Sequence, residues 1–176
     1  PKALATESKV TTGDVLSNIP RIRSGLSSDD SDESWLDLIK SATSSEWFTE
    51  LKDSGKRDLC DFISKQVNST TIPRLKRGAE FISKSPINVS KKFDSWYKTS
   101  QVDGFANHIS RSHMASDVHR YLFTSSSVLC ARETQSSSHE AFSGIKDFPR
   151  CLLPNHSNIN NAVKSGNLRS VKFANR

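Results

Sequence analysis

Apolar residues recur at three- and four-residue spacing from Ser34 onward, and this pattern predicts three short helices. The first helix starts near Ser34, and the second follows an N-cap at Ser44 or Ser45. The third runs from Lys56 to about residue 68 and carries the clearest apolar stripe. The apolar residues of the three helices are Trp35, Leu36, Leu38, Ile39 and Ala42, then Trp47, Phe48 and Leu51, then Leu59, Phe62, Ile63 and Val67.

Beyond residue 70 the pattern is less regular, and prolines divide it. Pro73 is expected to open a fourth helix, because proline is favoured at the first position of a helix, and Pro86 separates it from a fifth. A further helix is predicted over residues 115–123, and residues 128–132 are expected to form a strand or a buried turn. The residues expected inside these helices are Leu75, Ala79, Phe81 and Ile82, then Val89, Phe93, Trp96 and Tyr97, then Val118, Tyr121 and Leu122.

Both ends of the chain are polar and lack sustained periodicity. We therefore expect a mainly α fold of short helices, with one small β element near residues 128–132 and extended polar N- and C-terminal arms. The predicted organisation is an acidic, serine-rich arm over residues 1–33, a small mainly helical domain over 34–153, and a basic irregular tail over 154–176. Leu, Ile, Val and Phe supply only 41 of 176 residues, so the core must be small.

Charge is distributed unevenly along the chain. Residues 1–54 hold ten acidic and six basic residues, a net charge of −4, whereas residues 55–176 hold nineteen basic and nine acidic residues, a net charge of +10. A basic body of this kind favours a polyanionic partner, because each neutralised phosphate releases bound counterions.

The basic residues cluster, and one cluster is interleaved with aromatic residues, as in proteins that bind single-stranded nucleic acid. Alternatively, Phe93, Trp96 and Tyr97 face a helical core and the lysines are simply solvated. The residues predicted to contact nucleic acid are Arg74, Lys76, Arg77, Lys91, Lys92, Trp96, Tyr97, Lys98, Arg169 and Lys172.

One short similarity occurs twice. Residues 19–25 read Ile-Pro-Arg-Ile-Arg-Ser-Gly, and residues 72–78 read Ile-Pro-Arg-Leu-Lys-Arg-Gly. A rigid proline that presents paired bases to a phosphate or an acidic groove is one interpretation of both segments. The other is a proline that opens a helix whose basic side chains are solvated.

The acidic segment over residues 27–38 suggests a different role for the front of the chain. Its serines lie among acidic residues, as in substrates of acid-directed kinases, and Trp35 and Leu38 form a Trp-x-x-Leu pattern typical of peptides that dock by strand addition. The competing interpretation is that Trp35, Leu38 and Ile39 anchor a helix in the core.

Cysteine and histidine residues offer a weak zinc pattern. Cys130, His139, Cys151 and His156 follow the spacing C-x8-H-x11-C-x4-H, and only the last pair approaches the tight spacing of structural zinc sites. No nucleophile or phosphate-binding motif accompanies them. We therefore expect no bound metal or other cofactor and no enzymatic activity.

Together these features predict a non-enzymatic structural component of a larger assembly, viral or ribonucleoprotein, that contacts RNA or acidic protein surfaces and neighbouring subunits. The alternatives are an adaptor that docks a partner through the acidic arm and Trp35, and a small zinc-binding module. Three scattered cysteines favour an intracellular or virion location over secretion. The apolar runs are all shorter than the roughly 18 residues that predict a membrane span.

Overall fold

A computed structural model describes residue 16 and residues 19–83, 104–134, 145 and 148–166. The chain divides into two compact units, a smaller one within residues 1–24 and 72–111 and a larger one within residues 25–71 and 112–176. The described residues are mainly helical, with two small two-stranded sheets, which confirms the predicted fold class in its coarse form.

The larger unit contains all the described helices. They are α1 (Asp32–Ser41), α2 (Glu46–Asp53), α3 (Arg57–Ser69), α4 (Ala115–Thr134) and α5 (Ser157–Lys164), with short 3₁₀ turns at Ala42–Ser44 and Arg150–Leu152. Two short strands, β1 (Gly25–Leu26) and β4 (Ser112–His113), pair in parallel. The smaller unit holds β2 (Gly78–Ser83) and β3 (Gly104–Ile109), which pair antiparallel with Phe81 opposite Ala106.

The first three helices form where the apolar pattern predicted them. Ser31 caps α1, because its hydroxyl oxygen accepts a hydrogen bond from the Ser34 amide at 3.0 Å. The predicted N-cap position at Ser45 precedes α2. The buried side chains of these helices share one core with residues of α4 and the segment that follows it. This burial supplies the apolar contacts that short helices need to persist in water.

Aromatic side chains form the centre of this core. Trp47 packs edge-on against Phe123 with ring centroids 5.9 Å apart, and Phe123 packs edge-on against Phe148 at 5.1 Å. Trp47 also donates from Nε1 to Nδ1 of His119 at 3.2 Å. Because Nδ1 accepts this bond, the ring proton of His119 lies on Nε2, which donates to the Leu38 carbonyl at 2.8 Å. His119 thus links α1, α2 and α4.

Two polar contacts tie further segments to the helices. Lys40 of α1 donates from Nζ to the carbonyls of Val67 and Asn68 at 2.5 and 3.0 Å, at the C-terminal end of α3. The Glu50 carboxylate of α2 accepts the Arg150 amide, with both oxygens at 3.0 Å. The Lys40 contact is favourable because the last carbonyls of α3 have no partner within the helix and carry partial negative charge.

The fourth predicted helix is wrong. Pro73 is followed by a turn over residues 74–77 and then by β2, so Phe81 is exposed and not in a helical core. Lys76 and Gly78 have φ of +50° and +83°, a conformation that no α-helix contains. The apolar pair Phe81 and Ile82, which lies between Gly78 and Pro86 in the sequence, is also a strand signal.

The predicted strand or buried turn at residues 128–132 is also wrong, because α4 continues through it. Within the Ser/Thr-rich run of α4, Thr124 and Ser127 donate their hydroxyls to the carbonyls of Arg120 and Phe123, one turn earlier, so these hydroxyl groups are satisfied inside the helix. Tyr121 was expected inside α4 but lies half exposed.

The described residues of the predicted N-terminal arm and C-terminal tail contain more structure than the sequence analysis expected. Residues 157–164 form α5 where an irregular tail was expected. Leu26 is buried, so part of the predicted arm belongs to the helical core. The predicted helix around Val89 and Phe93 lies outside the described residues, and none of the described helices has the length and apolar character to cross a bilayer.

Candidate nucleic-acid interface

The described residues of the two folded units carry net charges of opposite sign. The described residues of the smaller unit carry six basic side chains and one acidic side chain, a net charge of +5. Those of the larger unit carry nine basic and twelve acidic side chains, a net charge of −3. The smaller unit is therefore the candidate site for a polyanion.

The two similar segments seen in the sequence meet in the smaller unit. The Arg23 amide donates to the Lys76 carbonyl at 2.5 Å, which joins residues 19–24 to residues 72–78. A third segment joins them, because the Ser110 amide donates to the Arg77 carbonyl at 2.9 Å and His108 Nε2 donates to the Pro20 carbonyl at 2.7 Å. Basic residues from three parts of the sequence thus share one small unit.

A tight double turn shapes the second of these segments. The Lys76 amide donates to the Pro73 carbonyl at 2.9 Å, and the Gly78 amide donates to the Leu75 carbonyl at 2.6 Å. Glycine is required at residue 78, because an added Cβ would lie 2.0 Å from the His108 carbonyl oxygen and φ there is +83°. The turn lets Arg74 and Lys76 project to solvent just before β2.

Of the six basic side chains that the structure describes in this unit, four are exposed, namely Arg21, Arg74, Lys76 and Arg111. The other two support the backbone. Half-buried Arg77 donates from Nη2 to the Ser110 carbonyl at 3.0 Å, and buried Arg23 donates from Nη1 to the Ser24 carbonyl at 3.0 Å. Within the described residues, Glu80 is the one carboxylate of the unit. We call Arg21, Arg74 and Arg111 the arginine cluster of the smaller unit.

The sequence analysis named some of these exposed basic residues. Arg74 and Lys76 were predicted to contact phosphate, and the structure places both at the surface, whereas Arg77 is half-buried. Arg21 and Arg111 are also exposed but were not among the predicted contacts. The repeated Ile-Pro-Arg segment was the available signal for Arg21, but no local pattern indicates that Arg111 joins it.

The remaining predicted nucleic-acid contacts lie outside the described residues, and their role stays a prediction. They are Lys91, Lys92, Trp96, Tyr97, Lys98, Arg169 and Lys172.

The predicted docking residues, Trp35 and Leu38, pack in the hydrophobic core. Trp35 is 8% exposed, and half-buried Leu38 packs against the same cluster of buried side chains. Of the acidic residues before them, Asp32 and Glu33 form the first turn of α1, and Asp29, which precedes the helix, accepts the Ser34 hydroxyl at 2.7 Å. Strand addition through Trp35 and Leu38 would therefore require α1 to leave the core.

The zinc candidates do not assemble among the described residues. No group of three or more possible metal-ligating side chains occurs in that part of the chain, and His139 lies outside it. Nδ1 of His156 accepts the Asn158 amide at 3.2 Å as the N-cap of α5. Metal binding needs deprotonated thiols, and burial raises the pKa of both the Cys130 and the Cys151 thiols.

Cys130 also lines a cavity of about 640 Å³ in the larger unit, beside Lys56, Arg57 and Asp58 at the start of α3. After burial, the carboxylates of Asp58 and Glu133 raise the pKa of the Cys130 thiol further. A thiol in this setting is a poor nucleophile near neutral pH, because the thiolate is the reactive form.

Comparison with known proteins does not place the chain in a family. No family model, curated protein or solved structure matches it. Its function must therefore be inferred from its own charges and contacts.

Proposed function

We propose that this protein is a non-enzymatic component of a larger RNA-containing assembly, and that its smaller unit holds RNA electrostatically. The observation that carries the proposal is the net charge of +5 on the described residues of the smaller unit. The described residues of the larger unit carry a net charge of −3. A local excess of positive charge attracts phosphate even when the remainder of a protein is acidic.

The arrangement of the backbone supports this role. Three segments are joined by hydrogen bonds between Arg23 and Lys76, between Ser110 and Arg77, and between His108 and Pro20. These bonds join the three segments that carry Arg21, Arg74 and Arg111, so the fold holds these segments together before RNA binds. Within the described residues, Arg21, Arg74 and Arg111 have no carboxylate partner, and their charges remain available for phosphate.

Binding of this kind has a measurable signature. Contacts to phosphate give affinity with little sequence preference, and the affinity falls steeply as salt rises. For single-stranded RNA, the logarithm of the binding constant falls with the logarithm of salt concentration by about 0.7 for each phosphate neutralised.

The test is a salt titration of RNA binding by the full chain and two variants of equal charge. The variant R21Q/R74Q/R111Q removes the arginine cluster, and the control R57Q/K65Q/K164Q removes three exposed basic residues from the larger unit. We expect the cluster variant to lower the salt slope by about 2 and the control to leave it nearly unchanged. Equal losses in both variants, or no binding by the unmodified chain at low salt, would contradict the proposal.

A further inference from the structure

Phe81 of β2 is an exposed aromatic residue within the basic unit. Its side chain is 51% exposed, whereas Phe48 and Phe123 of the larger unit are 2% and 1% exposed. Isolated exposed apolar residues are common on proteins, so the exposure of Phe81 gains meaning only from its surroundings.

The ring of Phe81 lies against a glycine on the neighbouring strand. A Cβ placed on Gly104 would come within 2.5 Å of Phe81 Cζ and 3.0 Å of Cε2, so the ring occupies the space that a side chain would fill. This packing of an aromatic ring over a cross-strand glycine fixes the ring while half of its surface stays in solvent. A ring held in this way loses little further freedom when a ligand stacks on it.

The exposed basic residues of the unit lie beyond one end of the strand that carries Phe81. Phe81 follows Gly78 by three residues, about 10 Å along a strand. Gly78 pairs with Ile109, and just outside this pair the Arg77 side chain, before β2, donates to the carbonyl of Ser110, after β3. Arg111 and Arg74 therefore lie at one end of the sheet that carries Phe81.

We propose that the smaller unit binds single-stranded RNA by stacking an unpaired base on Phe81 while the arginine cluster contacts the neighbouring phosphates. This inference rests on the proposed function and names its ligand more closely. Single strands are favoured over duplexes because a duplex keeps its bases stacked inside the helix, where an aromatic side chain on a sheet cannot reach them. The combination of exposed aromatic rings and cationic side chains is the usual platform of proteins that bind single strands.

The test compares an unstructured oligouridylate with a duplex of equal length and with an oligonucleotide that carries abasic sites. We expect the full chain to bind the single strand more tightly than the duplex, and to lose about 5- to 150-fold in affinity when bases are removed but phosphates are kept.

Three variants localise the effect. F81L is expected to weaken single-strand binding by at least about 5-fold with the salt slope unchanged, whereas F81Y keeps the ring and retains the affinity. I109A removes a side chain of similar exposure from the paired strand and should leave binding within about twofold. F81L should also bind the abasic strand as the unmodified chain does.

The outcomes separate this inference from the proposed function. If RNA binds and the arginine cluster variant weakens it, but neither F81L nor abasic sites matter, stacking is refuted and the electrostatic function remains. If the unmodified chain binds no RNA at low salt, both are refuted. The abasic strand tests stacking on the unmodified protein, so a misfolded F81L variant would not leave the question open.

Discussion

The two units of this protein differ in what holds them together. The larger unit buries tryptophan, phenylalanine and isoleucine side chains in one cluster, and its described residues carry a slight excess of acidic groups. In the described part of the smaller unit, the one buried side chain is that of Arg23, and the visible framework is a two-stranded sheet joined to a third segment by hydrogen bonds. Two-stranded sheets are marginally stable by themselves.

This difference suggests that different residues of the chain are responsible for its stability and for its binding of RNA. Basic residues concentrated around an apolar core would repel each other and destabilise the fold that carries them. Among the described residues, the buried apolar side chains lie in the larger unit and the excess positive charge lies in the smaller unit. We therefore expect the stability of the chain to depend mainly on the larger unit, and its affinity for RNA mainly on the smaller one.

The largest expected effect contrasts two phenylalanines. Phe123→Ala removes a ring that is 1% exposed, and we expect it to lower the free energy of unfolding by about 3–5 kcal/mol. Phe81→Ala removes a ring that is 51% exposed and should cost about 1 kcal/mol or less. Urea denaturation of both variants measures the contrast. Equal losses would show that the smaller unit has an apolar core of its own.

Hydrogen exchange should show the same contrast without mutation. Amides of β2 and β3 are expected to exchange through local opening, well before those of α3 and α4. RNA that binds the smaller unit should slow their exchange, because a ligand present at 100 times its dissociation constant stabilises the bound form by about 2.7 kcal/mol. If RNA slowed exchange only in the helices, the RNA would lie on the larger unit and the proposal would be contradicted.

Lys40 provides a smaller test of what holds the larger unit together. Lys40→Met removes the ammonium that bonds two carbonyls at the end of α3, and we expect a loss of about 1–2 kcal/mol. Lys65→Met, at an exposed position of α3 with no such bond, is the control and should change stability by about 0.5 kcal/mol or less. Thermal unfolding of the pair measures the difference, and an equal response would rule out the contact.

The smallest expected effect concerns the exposed thiol of the larger unit. Partial burial of the sulfur atom first, and then the carboxylates of Glu50 and Glu46, raise the pKa of Cys151. A raised pKa leaves less thiolate at a given pH, so alkylation of Cys151 should be slow. Glu50→Gln removes a neighbouring negative charge and should therefore lower the pKa of Cys151 and make its alkylation faster. Iodoacetamide labelling followed by mass spectrometry measures the rate as a function of pH. An unchanged profile would mean that Glu50 does not face the thiol.

Sequence patterns predicted the larger unit well because its elements are defined locally. The stripe of Leu59, Ile63 and Val67 has one helical interpretation, and the structure confirms it. The long helix α4 was only partly predicted, because its run of hydroxyl residues resembles a loop until their bonds to the preceding turn are seen.

The smaller unit could not be predicted in the same way, because its contacts join distant residues. The pairing of Phe81 with Ala106 and the bond between Arg23 and Lys76 leave no periodic signal in either segment alone. Pro73 was read as a helix start, although the left-handed backbone at Lys76 and Gly78 turns the chain instead. The repeated Ile-Pro-Arg segments were visible in the sequence, but their meeting in space was not.

The most direct test of the account maps RNA onto the folded chain. Amide chemical shifts recorded while the full protein is titrated with oligouridylate should change, among the described residues, in residues 19–24, 72–83 and 104–111, and should stay nearly constant in α1 to α4. Changes concentrated in the helices, or spread evenly over both units, would contradict the claim that the positive charge of the smaller unit is the binding surface.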